Sequence, residues 1–95
     1  MRVRLSARAA RDLRAIGDYI ARDDRARAVR FVRRLHAKCL AIGDLPFGYP
    51  LVEGRQHQQV RRCGHSGYVI LYTVTDDAVV ILHIVHSARD YGDLL

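Results

Sequence analysis

Residues 58–86, QQVRRCGHSGYVILYTVTDDAVVILHIVH, decide the fold. Apolar runs alternate with two turn clusters, Gly64-His65-Ser66-Gly67 and Thr75-Asp76-Asp77, and this spacing predicts an antiparallel meander with strands over 58–63, 68–74 and 78–86. On the middle strand Tyr68, Ile70, Tyr72 and Val74 take one face and Val69, Leu71 and Thr73 the other. On the last strand strict alternation sets Val80, Leu82 and Ile84 against Val79, Ile81 and Val85. Both faces are therefore largely apolar, whereas an antiparallel sheet with one wet face alternates cleanly. Two coverings are open for the second face: the sheet curls upon itself, or a partner buries the patch.

Working outward, the preceding residues 45–55, LPFGYPLVEGR, carry both prolines and two glycines and read as a loop packed by Phe47 and Tyr49. Before it, Ala28, Phe31, Val32, Leu35, Cys39 and Ile42 recur at helical spacing, with Asp23 and Asp24 offering N-cap oxygens and Gly43 and Pro46 ending the helix. Ser6 caps an earlier helix whose apolar face is Ala9, Leu13, Ile16 and Ile20, with Arg8–Asp12 and Asp18–Arg22 spaced as surface ion pairs. So short a connection predicts that the two helices run antiparallel. Arg2 to Leu5 alternates as a short strand. The fold class is α+β: a strand, an antiparallel helical hairpin, then a three-stranded antiparallel meander, with the helices on one face of a curved sheet.

Ninety-five residues make a single domain, 1–95, long enough to bury roughly 65% of the unfolded chain's surface without disulfides or metal. Two cysteines and no secretory signal point to a reducing cytoplasm, and the apolar run from Val79 is too short to cross a bilayer. The net charge of +6 is unevenly placed: residues 1–44 hold 12 basic against 5 acidic side chains, residues 45–95 hold 4 against 5. Fifteen of the sixteen basic residues are arginine, whose planar fork suits carboxylates and phosphates, unless the face is simply solvated. The chain lacks the aromatic interleaving of a single-strand binder, so direct nucleic-acid binding is not expected. No glycine-rich phosphate loop follows a strand, and His83 and His86, three apart, fall on opposite faces of a regular strand, so neither a cofactor nor a metal is expected. Cys39 lies in the apolar stripe and reads as core rather than as a reactive thiol.

Several residues together carry a family resemblance: Ala10, Asp12, Leu13, Ile16 and Tyr19-Ile20-Ala21; Ala28, Phe31 and Leu35; Pro46, Gly48 and Gly54. The set continues with Val60-Arg61, Tyr68, Ile70, Tyr72 and Val74, and ends with Ile84, His86, Arg89, Asp90 and Leu94-Leu95. In this order the chain resembles the ParE branch of the RelE/ParE toxin superfamily, the poison halves of bacterial type II toxin-antitoxin modules. In the RelE branch, basic side chains promote cleavage of messenger RNA on the ribosome. Aligned on Gly67-Tyr68, this chain has Val60 and Arg62 where RelE carries two lysines, Val69 where it carries an arginine, and Leu95 near its terminal tyrosine. Arg89 falls on a catalytic arginine.

The resemblance thus implies a non-enzymatic inhibitor of DNA gyrase that arrests growth and is neutralised by an acidic, partly disordered ParD-like antitoxin in a hetero-oligomer. The alternative is a ribosome-dependent endoribonuclease using Arg62, Arg89 and His65 or His86. No catalytic residue is assigned. Arg61, Arg62, His86, Arg89 and Asp90 are the candidate contacts with target or antitoxin, although Arg89 is also placed to pair with Asp90 or Asp93, and His86 reads equally as a hydrogen-bonded strand end.

Overall fold

The computed structural model describes residues 1–54, 56–89 and 91. Strand β1 (Arg2–Leu5) leads into helix α1 (Ala7–Ala21), helix α2 (Arg25–Ala41), a 3₁₀ turn (Ile42–Asp44) and then, after a second 3₁₀ turn (Gln56–Gln58), strands β2 (Arg61–His65), β3 (Tyr68–Val74) and β4 (Ala78–His86). The sheet order is β1-β4-β3-β2, so the expected meander is present and β1 extends it by pairing parallel to β4, Arg2 opposite Ala78 through Leu5 opposite Ile81.

Both helices start on their side-chain caps. Ser6 Oγ accepts from Ala9 N–H at 3.0 Å, and Asp24 Oδ1 accepts from Arg27 N–H at 3.0 Å, each satisfying a donor that the first turn leaves free. Ala9, Ile16 and Ile20 of α1 and Ala28, Leu35 and Cys39 of α2 are buried with Ile42 against Cys63, Ile70, Tyr72, Val79, Ile81 and Ile84 of the sheet. The helices approach closely because Gly17 has no Cβ: one built there would stand 2.9 Å from Val32 Cγ2. Gly43 likewise lies under the N-terminal residue, where a Cβ would strike the Met1 carbonyl, and the Met1 ammonium donates to Gly43 O at 2.9 Å.

Four details differ from the sequence-based expectation. The first meander strand begins at Arg61 rather than at 58, because the 3₁₀ turn and the left-handed Gln59 (φ 56°) take the chain out of the extended region. It also continues through Gly64 and His65, so the turn contracts to Ser66-Gly67, with φ of 46° and 87°, the positive pair a tight hairpin needs.

On β4 the register slips between Leu71 and Tyr72, which face His83 and Ile81, and Leu82 is the extra residue. Beyond it the face assignment inverts: Ile84 joins Val79 and Ile81 under the helices, while Leu82 and Val85 pack on the other side. Finally, Tyr49 packs against Tyr72 with ring centroids 6.4 Å apart, but Phe47 is 66% exposed.

The second sheet face is covered from within the chain. Val52 and Val60 from the loop close over Val69, Leu71 and Val85, with Leu82 and Tyr91 packed at the margin. Backbone bonds tie this flap down: Val52 N–H to Val60 O at 2.8 Å and Arg62 N–H to Pro50 O at 3.0 Å. Of the two coverings open to the sequence, neither sheet curling nor a partner is required for these residues. Among the described residues no helix is long and apolar enough to cross a membrane.

Candidate functional site

The candidate contact residues do not gather at one point. Arg61 sits at the start of β2 opposite Tyr72, whereas His86 ends β4 opposite Tyr68, at the other end of β3. Arg61 is engaged internally: its Nη1 donates to Tyr49 O at 2.7 Å and its guanidinium lies 5.2 Å from the Phe47 ring centroid, stapling the loop to the sheet. Arg62 next to it is exposed and has no ion-pair partner among the described residues. Arg89 is exposed as well, its backbone N–H donating to His86 O at 3.0 Å. Asp90 lies outside the described residues.

His86 does behave as a hydrogen-bonded strand end, since its Nδ1 accepts from Ala88 N–H at 3.1 Å, but its ring is exposed and stands edge-on to Tyr68 at 5.4 Å. Tyr68 in turn meets Phe31 of α2 at 5.6 Å, and Phe31 meets His65 of β2 at 6.2 Å. Since His65 pairs with Tyr68 and Tyr68 with His86, three strands present one row of rings at the hairpin end of the sheet. Phe31 and Tyr68 are not among the sequence-derived contacts, and His65 enters there only as an alternative to His86 in the endoribonuclease reading, because the row is assembled from four elements; the signal available is an aromatic or imidazole ring at each strand end beside the turn.

Two other features complete the surface. Between the outer sides of α1 and α2 lies an apolar groove of about 420 Å³, lined by Gly17, Ala21, Ala28, Val29 and Val32 with Asp18, Arg25 and Arg33 on its rim. Near the loop, burial pushes the Cys39 thiol up to about 12, with Cys63 acting in the same direction. Burial also raises Cys63, partly offset by a hydrogen bond with Tyr49 and by the Lys38 charge. Both thiols are free, buried and held protonated, so they pack as small apolar groups rather than act as nucleophiles. No group of three or more His, Cys, Asp or Glu side chains placed to hold a metal occurs among the described residues.

The fold is α+β, with a helical hairpin on a four-stranded, mostly antiparallel sheet. The family described as "ParE toxin of type II toxin-antitoxin system, parDE" matches residues 3–91, and the chain belongs to it. Among solved structures, a chain of the "Chromosomal ParDE TA system from P. aeruginosa" superposes with a TM-score of 0.75 at 21% identity, covering 90% of this chain and 95% of that one. That likeness establishes the shared fold. A search of curated protein sequences gave no match.

Proposed function

We propose that this ParE-family toxin acts in the cytoplasm as a non-enzymatic inhibitor of DNA gyrase, residues 1–95 forming a single toxin domain that arrests growth until a cognate antitoxin binds it. The observation that carries this reading is the fate of the positions that bear cations in the ribonuclease branch. Val60 and Val69 are 5% and 8% exposed and packed together on the second sheet face with Leu71 and Val85. An apolar, water-excluding cluster there offers no charge to stabilise a pentacovalent phosphate, and the cations aligned with that site are Arg62 and Arg89. What remains is a folded surface suited to binding.

The antitoxin is an acidic, partly disordered ParD-like protein that orders on binding, the carboxylates answering the arginine excess of residues 1–44. The test uses purified toxin with gyrase and relaxed plasmid, and in parallel with a reconstituted translation system. Supercoiling should stop while translation continues, and equimolar antitoxin should restore supercoiling. Intact supercoiling at toxin excess with arrested translation, and cuts in ribosome-bound messenger, would assign the chain to the endoribonuclease class instead.

A further inference from the structure

We infer that the ring row His65–Phe31–Tyr68–His86, together with the arginines beside it, is a binding site for single-stranded nucleic acid. The inference stands apart from the gyrase reading and rests on the hairpin end of the sheet. Four rings, His65 of β2, Phe31 of α2, Tyr68 of β3 and His86 of β4, follow one another in that order at centroid separations of 6.2, 5.6 and 5.4 Å. His86 is exposed, while His65, Tyr68 and Phe31 are half-buried; Tyr68 and Phe31 rest on the core and His65 rests against Phe31, which orders them before any ligand arrives. Because His86 Nδ1 accepts from Ala88 N–H, the neutral ring carries its proton on Nε2 and offers a donor for a base edge or phosphate.

Positive charge borders the row on two sides. Arg27 and Arg34 lie one turn before and one turn after Phe31 on the same side of α2, and Arg89 lies three residues past His86, where β4 ends. All three are exposed and none has an ion-pair partner among the described residues. Helix α2 holds no acidic residue across Arg25–Ala41, so its own surface does not neutralise them. The expectation against nucleic-acid binding rests on missing aromatic interleaving in the linear sequence; the fold gathers rings from four separate elements instead. Rings with guanidinium groups for the backbone are the combination that tracks a single strand without reading its sequence.

An acidic peptide is the less fitting occupant. Carboxylates need the arginines but not a row of rings, and the apolar anchors such a peptide requires lie in the groove on the α1 side of α2, away from the contacts Phe31 makes with β2 and β3. The row also lies on the helix-covered side of the sheet, opposite the face where Val60 and Val69 replace the ribonuclease cations.

Fluorescence anisotropy on the full chain tests this, using labelled oligonucleotides of about 12 nucleotides as single-stranded DNA, single-stranded RNA and duplex DNA, with labelled polyglutamate as competitor class. Single strands should bind at least about tenfold tighter than duplex, with affinity falling steeply between about 50 and about 200 mM salt; the DNA and RNA arms show which strand is preferred. Arg27→Glu combined with Arg34→Glu should weaken binding by about tenfold or more, and His86→Ala by about fivefold, with an unchanged circular dichroism spectrum. Absence of binding at low salt, duplex or polyglutamate binding as tightly as single strands, or unaltered affinity in both variants overturns the site.

Discussion

The Asp12 carboxylate joins α1 to β4: its Oδ2 accepts from His83 Nδ1 at 2.7 Å and from the Ile84 N–H at 2.9 Å. Its Oδ1 accepts from Arg8 Nε at 3.3 Å, so both oxygens act as acceptors and His83 is the donor. This matters because β1 pairs with β4 only as far as Ile81. Past that point Ser6 Oγ donates to Leu82 O at 2.9 Å and Asp12 receives the next amide, so the start of α1 finishes the edge that β1 leaves open. Asp12→Ala strands the Ile84 amide and the imidazole in a half-buried site and should cost about 2 kcal/mol, whereas Asp12→Asn, which retains one acceptor, should cost about half as much. Urea denaturation of the two variants measures this, and equal losses would show that the amide bond to Ile84 contributes nothing.

Alkaline pH should unfold the protein through groups that the core keeps protonated. Burial raises Cys39 from 9.0 to about 12 and Tyr72 from 10.0 to about 12, and raises Cys63 as well. A folded pKa above the unfolded one means that the native state holds the proton longer. The associated stability is complete below about pH 9, where both states are protonated, and is lost as pH rises from 9 towards 12. Each such group contributes a slope of about 1 kcal/mol per pH unit while the unfolded state alone is ionised. Tyr72→Phe should flatten the upper part of this profile. At neutral pH it should lose about 1 kcal/mol, because the Tyr72 hydroxyl donates to Pro46 O at 2.7 Å. Denaturation midpoints measured from pH 7 upward give both quantities.

What the sequence made legible follows from period and caps. Ser6 and Asp24 are short oxygen-bearing residues placed before periodic apolar runs, and both cap as expected. Spacing alone makes Asp12 a surface partner of Arg8, and that pair exists at 3.3 Å, but Asp12 also shares the face of Ala9, Leu13 and Ile16. A carboxylate on an apolar face needs an internal donor, and that was the available signal. The companion pair did not form: Asp18 has no ion pair among the described residues, and Arg22 lies over the Tyr19 ring at 5.9 Å. The bulge at Leu82 gave no signal, because a run with apolar residues on both faces has no alternation to break. Parallel docking of β1 beside β4 was likewise hidden, since four alternating residues specify a strand but not its neighbour. Of the candidate contacts, sequence could not separate Arg61 from Arg62, because the difference lies in a carbonyl twelve residues away.

The Ser66-Gly67 turn sets the hairpin that carries His65 and Tyr68, and its two positive φ angles leave specific room for improvement. Asparagine tolerates the left-handed region better than serine, so Ser66→Asn should stabilise the protein by about 0.5 kcal/mol. Gly67→Ala meets no atom within 4 Å yet places a Cβ at φ 87°, and should destabilise by about 1 kcal/mol through backbone strain alone. Thermal melts of the two variants moving in opposite directions check the assignment; a neutral Gly67→Ala would mean that the turn relaxes without cost.

Neighbouring arginines on β2 should fail in different ways when truncated. Arg61→Ala removes the bond to Tyr49 O and the contact with the exposed Phe47 ring, so the loop before β2 loses its anchor and stability should fall by about 1–2 kcal/mol, with faster hydrogen exchange at the Val52 and Arg62 amides that hold the flap. Arg61→Lys keeps the charge but not the fork, and should recover less than half of that loss. Arg62→Ala and Arg89→Ala remove exposed side chains without ion pairs among the described residues, so each should change stability by less than about 0.5 kcal/mol. If these two contact gyrase, they should weaken inhibition of supercoiling by about tenfold at unchanged folding. Measuring denaturation and supercoiling on the same four preparations separates the roles: a stable but inactive Arg62 or Arg89 variant identifies a contact, and full activity in both moves the target surface elsewhere on the fold.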